Sequence, residues 1–504
     1  MTKASRYSSK EKRLFILIAV AALSLAAAGG AYKWNNRVLR VTIPQTAMPQ
    51  HNALQWYERA LAGHIAPATK PAPDVHLDNI ASVPAGAGEL YSSAYNKRYP
   101  LAAKRIFLKS NAQTIALWRQ GLKLRYVQRP EREAKAVADY KGYRDLAKLM
   151  IVEAHARAQS GDWDGAADSL LDILHFGHEV PRGAALIAGL VSIAIRDMAL
   201  KELWVVRPHL SSARARKLAQ DIYALHESRI TIAQTLEEEK RAMQRFILKM
   251  TRERDFRPLF VESICVLGCS TPPTLEEKQQ ILNNVHPGLQ LWAACMSKPN
   301  IFSEYSRCMD WQIAQMKKPY PLRSKEWPFP DSERSYKVSL HWFKYQQFTR
   351  APMSFDRSDA KEALLITTLA LDAYQADNCH YPAKLSELVP RYLPKVPLDP
   401  YGNRKLLSYK RVPLRYVGSV RDKSEDGYKG SNNPPRRPLL VRSYKSVPFA
   451  LYSVGPDSRD DGGRPYEDAR YKDRAGTQAD LHRYTLSGDF FQSTKTDIVA
   501  GVNY

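Results

Sequence analysis

Residues 371–403 read LDAYQADNCHYPAKLSELVPRYLPKVPLDPYGN, and residues 449–463 read FALYSVGPDSRDDGG. The first stretch is the end of an amphipathic helix. That helix is expected to start near Ser358 or Asp359 as its cap, with Ala363, Ile366, Ala370 and Tyr374 on one face. Tyr381-Pro382 ends it. AKLSELVPRYL reads as a short helix, and Pro394, Pro397 and Pro400 then allow only extended or turn backbone. The second stretch is a strand that runs into an acidic, glycine-rich loop. Between the two, KLLSYKR, LRYVG and PLLVRSYK are strand-like, so 350–504 is expected to be an α+β domain.

Upstream the pattern is helical. The Pro- and aromatic-rich stretch 318–331 reads as a linker, with a domain boundary near 320–350. Residues 33–330 carry helical periodicity at 51–64, 101–124, 130–160 and 211–257, where Glu237 and Arg241 stand at i,i+4. AALIAGLVSIAI (184–195) is too short to cross a bilayer and is expected to be a buried core helix. Residues 1–13 form a basic tail with five cationic residues and one acidic. Leu14 to Tyr32 follow without a charge, a 19-residue run that nearly matches a hydrocarbon core of about 30 Å. The positive flank orients such an anchor with its N-terminus in the cytoplasm. A cleaved signal peptide, with Ala26, Ala28 and Ala31 as cleavage-like positions, is the rival reading, although its apolar core is usually shorter.

Composition bounds the function. The net charge is +24 over 504 residues, with 44 % apolar residues. Such a charge suits nucleic acid, an anionic surface or an acidic protein. No nucleic-acid-binding motif accompanies it, so nucleic acid is not expected. There is no Walker or dinucleotide glycine loop and no G-x-S-x-G elbow. His175 and His178 lie at i,i+3 with His155 upstream, but no acidic or cysteine third ligand stands beside them. Cys379-His380 is a thiol–imidazole neighbour at a helix end, where adjacent side chains seldom face each other. The other cysteines are Cys265, Cys269, Cys295 and Cys308. Pairs 265–269 and 295–308 close the shortest loops if the chain is exported; free buried thiols are the alternative.

Two resemblances add to this. Over roughly 358–463, LDAYQADNCHYP, ELVPRYLPKVPLDPYGN, FALYSVGPD and DSRDDGG follow the order found in the head of the type II secretion major pseudopilin. The chain resembles bacterial envelope proteins that carry this head. It departs from the pseudopilins in lacking their N-terminal processing signal, in placing the head about 320 residues from the anchor, and in having Cys379-His380 before the Tyr-Pro. The resemblance implies a calcium site, carried over by position onto Asp457, Asp460, Asp461 and Asp497. Calcium takes oxygen ligands that such a loop can aim at one point, while the plain alternative is a solvated acidic turn. Residues 147–176 resemble one tetratricopeptide-type hairpin, with Ala154, Gly161, Trp163, Ala166 and Leu170 at its small, turn and packing positions.

The expectation is therefore an α+β multidomain chain: a transmembrane helix at 14–32, an all-α tetratricopeptide-like domain within 33–330, and a pseudopilin-head-like α+β domain at 350–504. It would sit single-pass in a bacterial inner membrane with its bulk in the periplasm. Its partners would be the inner membrane and envelope proteins. Its role would be non-enzymatic binding or scaffolding linked to a secretion or pilus-type machine. The alternative is an extracytoplasmic hydrolase or wall-modifying enzyme acting in an inter-domain groove, which needs a histidine or paired carboxylates in an open pocket.

Overall fold

The computed structural model describes scattered positions between 23 and 37, then 39–66, 100–129, 133–252, 298–324, 351–412, 414–420, 441–456, 458–460, 462–463 and 498–500. Its helices are α1 (Leu54–Gly63), α2 (Leu101–Ser110), α3 (Ala112–Leu122), α4 (Glu133–Gln159), α5 (Trp163–Glu179), α6 (Leu186–Val206), α7 (Ser212–Glu227), α8 (Ile232–Arg252), α9 (Lys298–Met316) and α10 (Ala351–Asn378). Strands are β1 (Ser408–Lys410), β2 (Leu414–Val420), β3 (Val441–Val447), β4 (Ala450–Ser453) and β5 (Ile498–Val499). They make a three-stranded sheet ordered β1-β4-β5 and a two-stranded β2-β3 ribbon. All pairs are antiparallel, with Ser408 opposite Tyr452 and Ser453 opposite Ile498.

Two compact units form. Thr46–Glu238, Gln312–Pro328 and His341–Tyr504 make one; Met1–Gln45, Glu239–Trp311 and Phe329–Leu340 make the other. Within the second, Lys240 Nζ reaches Asp310 Oδ1 at 2.6 Å and Gln244 Nε2 donates to Ser306 Oγ at 2.8 Å, joining α8 to α9.

The larger unit is built around α10. A helix that is apolar on every face must be covered on every face, and α10 is buried without interruption from Ala363 to Leu371. It packs on α6 and α7 on one side and on β4 and β5 on another. α4 and α5 form a hairpin. Gly161 takes φ +82° at its turn, a conformation that favours glycine, and the Asp162 side chain accepts from Gly165 N to cap α5. Ala154, Ala166 and Leu170 are buried where the two helices meet. A Cβ on Gly177 would lie 2.8 Å from Arg196 Cγ and 3.4 Å from Arg196 N, so glycine is what lets α5 and α6 approach.

This corrects the expected fold class. Helices dominate the described residues, and the long helix assigned to a separate α+β head shares one core with α4–α7. The sequence reading gave this helix one apolar stripe; from Glu362 to Leu371 it is buried all round, so a small sheet alone cannot cover it. It also begins at Ala351, with Pro352 in its first turn, which places Ser358 and Asp359 in its interior rather than at its cap.

The transmembrane expectation is corrected too, and with it the single-pass inner-membrane placement and periplasmic bulk. Among the described residues no helix is long and apolar enough to cross a membrane, and 14–32 lies mostly outside them. The longest apolar stretch, α6, carries Arg196, Asp197, Lys201 and Glu202 in its second half and is committed to the protein core.

Replacing Gly177 with Val should push α5 from α6 and displace Arg196. Urea unfolding is expected to show a loss of about 1–3 kcal/mol; an unchanged midpoint would refute the close approach.

Candidate functional site

The strongest concentration of titratable groups lies where α5, α6 and α7 meet α10. Asp359 and Glu362 are at i,i+3 and face the same way from α10. Glu362 is fully buried, and its Oε1 accepts from His178 Nε2 at 2.9 Å. His226 Nδ1, at the end of α7, lies 3.5 Å from the same oxygen. Arg196 Nη1 bridges Glu362 Oε2 at 3.1 Å and Asp359 Oδ1 at 3.4 Å. Arg229 closes the cluster, donating from Nε to Asp359 Oδ2 at 2.7 Å and from Nη1 to the His226 carbonyl. Two carboxylates thus face two guanidinium groups, and the charge balances with both imidazoles neutral.

Balance is what makes the burial tolerable, since an unpaired buried charge is costly. Burial pushes the Glu362 carboxyl up, but His178, His226 and Arg196 together outweigh it and hold the group well below the usual carboxylate range. Burial acts the same way on Asp359, and Arg229 and Arg196 reverse it. His178 moves down from the ordinary histidine value because burial outweighs the attraction of Glu362, and Arg196 and His226 add to the shift.

The same helix repeats the device. Each of its five acidic residues has a cationic partner from elsewhere in the chain. Asp356 takes a two-pronged bond from Arg323, one arm from Nη2 to Oδ1 at 2.9 Å. Asp372 takes Arg207 Nη1 at 2.8 Å, and Asp377 takes Arg391 Nη2 at 3.2 Å together with the Tyr392 hydroxyl. Burial pushes both Asp356 and Asp372 up to about 6 against the pull of their arginines. A second buried histidine pair, His155 Nε2 to Glu202 Oε2 at 3.2 Å, joins α4 to α6.

One carboxylate also organises the DPYGN turn. Asp399 Oδ1 accepts from the Ser453 hydroxyl at 2.6 Å and Tyr401 N at 3.0 Å, and Oδ2 accepts from Val454 N at 3.0 Å. The turn is thereby stitched to the end of β4.

Of the four carried-over calcium ligands, Asp457, Asp461 and Asp497 lie outside the described residues. Asp460 Oδ1 accepts from the Tyr452 hydroxyl at 2.8 Å and from Gly462 N at 2.9 Å. Among the described residues no group of three His, Cys, Asp or Glu side chains is arranged to hold a metal. His175 and His178 do not form a ligand pair, since His178 points its Nε2 at Glu362. Cys308 and Cys379 are free thiols, so Cys308 is not bridged to Cys295; Cys265, Cys269 and Cys295 lie outside the described residues. The His380 imidazole donates from Nδ1 to the Tyr381 carbonyl at 3.0 Å. Glu237 pairs with Lys317 Nζ at 2.9 Å.

Sequence reading missed Glu362, Asp359, Arg196, His226 and Arg229. The usable signal was a charge inside an apolar helix: Arg196 directly follows the run 184–195, and Glu362 directly precedes the run 363–371. Comparison with family models, with curated proteins and with solved structures finds no match.

Chemically, the cluster can gain or lose a proton. It offers no open face to a substrate, because Glu362, His178 and Arg196 are all buried. Replacing Glu362 with Ala leaves Asp359 as the one carboxylate facing Arg196 and Arg229, so a net positive charge stays in the core. Denaturant titration is expected to show a loss of about 3–5 kcal/mol. A loss under about 1 kcal/mol would place the group in a solvated setting.

Proposed function

We propose that the chain is a non-enzymatic binding scaffold whose partner presents an acidic protein surface. The supporting observation is how the charges are spent. The chain carries a net +24, while the carboxylates of α10 are all committed to internal cations. Internal pairing removes equal numbers of both signs, so the cationic excess remains for solvent and partners. The His–Glu–Arg cluster, the arrangement nearest to catalytic chemistry among the described residues, is closed to solvent and charge-balanced. Buried pairs of this kind hold helices in register, and a rigid helical body suits presentation of a surface.

Crosslinking in the producing cells, followed by purification, tests this reading. The expected partner has a net negative face, and its dissociation constant weakens about tenfold or more between low and physiological salt as the charges are screened. Salt-independent binding, or turnover of a small molecule lost on mutating surface residues, would overturn the reading.

The pseudopilin-head resemblance carries a narrower proposal, that Asp457, Asp460, Asp461 and Asp497 bind calcium. Asp460 fits this role in part. Its Oδ1 is held by two donors, which leaves Oδ2 as an acceptor, and Gly462 and Gly463 at φ +77° and +81° supply a tight turn. Calcium at about millimolar concentration should raise the melting temperature of the full chain, and Asp460→Asn should reduce that rise. No shift with calcium would remove the site.

A further inference from the structure

The cluster around Glu362 is the one place among the described residues where two imidazoles, two carboxylates and two guanidinium groups from four segments meet inside the core. Its position matters as much as its chemistry. Glu362 sits at the start of the fully buried run of α10, and the side chains that hold it come from α5, α6 and α7. The helix is fastened to the body at this point by charge as well as by apolar packing.

The groups around His178 can be named from each side. From α10 come Glu362 and Asp359, with Asp356 one turn further. From α6 comes Arg196, while its neighbour Asp197 is turned to Lys361. α7 supplies His226, and Arg229 follows it. On the helix of His178 itself, Glu179 is held by Arg182 Nε at 2.6 Å and by Tyr126 N, and His175 is half-buried. Both carboxylates that His178 could call on are therefore already committed to arginine. A proton on His178 takes the balanced cluster to a net positive charge with no counterion left inside.

We propose that His178 and Glu362, with His226 beside them, form an acid-released latch, in which proton uptake by His178 frees α10 and the strands packed on it from α5, α6 and α7. The linkage has a definite sign. His178 in the fold lies below the ordinary value of 6.5, so the unfolded chain takes the proton first. Its contribution to stability is complete above about 6.5 and is lost as the pH falls below that value. Asp356 works in the opposite direction. Its group is raised to about 6, so its contribution is lost as the pH rises through about 6. Global stability mixes the two effects, and a local readout is needed to separate them.

Hydrogen exchange on the full chain, corrected for the intrinsic chemistry of exchange, supplies it. Between about pH 7.5 and pH 5, amides within 360–371 should lose protection by about tenfold or more, while those of α1 and α3 change little. The double variant His178→Gln/His226→Gln should retain its α10 protection at the lower pH. Asp356→Asn keeps both imidazoles and should lose protection as the natural chain does. The latch is overturned by unchanged protection of 360–371 in the natural chain, by an equal loss in α1, α3 and α10, or by an Asp356→Asn chain that no longer responds. A folded double variant that still responds like the natural chain overturns it as well. If that variant does not fold, the other two chains decide the outcome.

Discussion

The structure depends on one constraint: α10 is buried on all faces from Glu362 to Leu371 yet carries five acidic residues along its length. An apolar helix can be covered in many rotations and registers, because burial is not directional. Charge removes that freedom. Asp356, Asp359, Glu362, Asp372 and Asp377 each require a cation at one height and on one side, and Arg323, Arg229, Arg196, Arg207 and Arg391 supply them from five places in the chain. Reading down the helix, these pairs fix which segment lies against each turn. The net stability from such pairs is small or even negative against an apolar replacement, so we assign them to register rather than to strength.

The surrounding architecture follows from making those pairs reachable. Gly177 lets α6 come close enough to α5 for Arg196 to stand beside His178. The end of α7 brings His226 to Glu362, and the residues just after it bring Arg229 to Asp359. Near the start of α10, Asp399 performs the same service for a turn, tying Tyr401 to the end of β4 with three hydrogen bonds. Tyr401 in turn packs edge-on against Tyr320, whose neighbour Arg323 holds Asp356. The turn and the helix are therefore connected through a short chain of contacts.

Much of the local structure was legible. The α4–α5 hairpin follows from Gly161-Asp162 and the small residues Ala154 and Ala166, and four of the five strands fall in stretches with a strand-like pattern. What could not be read is anything set by distant partners. His178 and Glu362 are separated by 184 positions, and Arg196 and Glu362 by 166. No local period records such a pairing, so Asp359 reads as a cap and His178 as a surface or core histidine with no partner named. The expected separate head failed for the same reason. Its helix has the pattern of a half-exposed helix, and only the helices that cover its other faces reveal that it belongs to the body. The anchor expected at 14–32 rested on apolar length alone, and no described helix is long and apolar enough to cross a membrane.

The central claim is that α10 completes the helical body. Circular dichroism melting of 46–238, a part of the larger unit, produced without α10 tests it directly. The account predicts a broad, non-cooperative loss of helix, because the faces of α6 and α7 that cover α10 would be bare and Arg196 would have lost both of its carboxylates. A sharp transition at the melting temperature of the full chain would show that the body folds without α10 and would contradict the account.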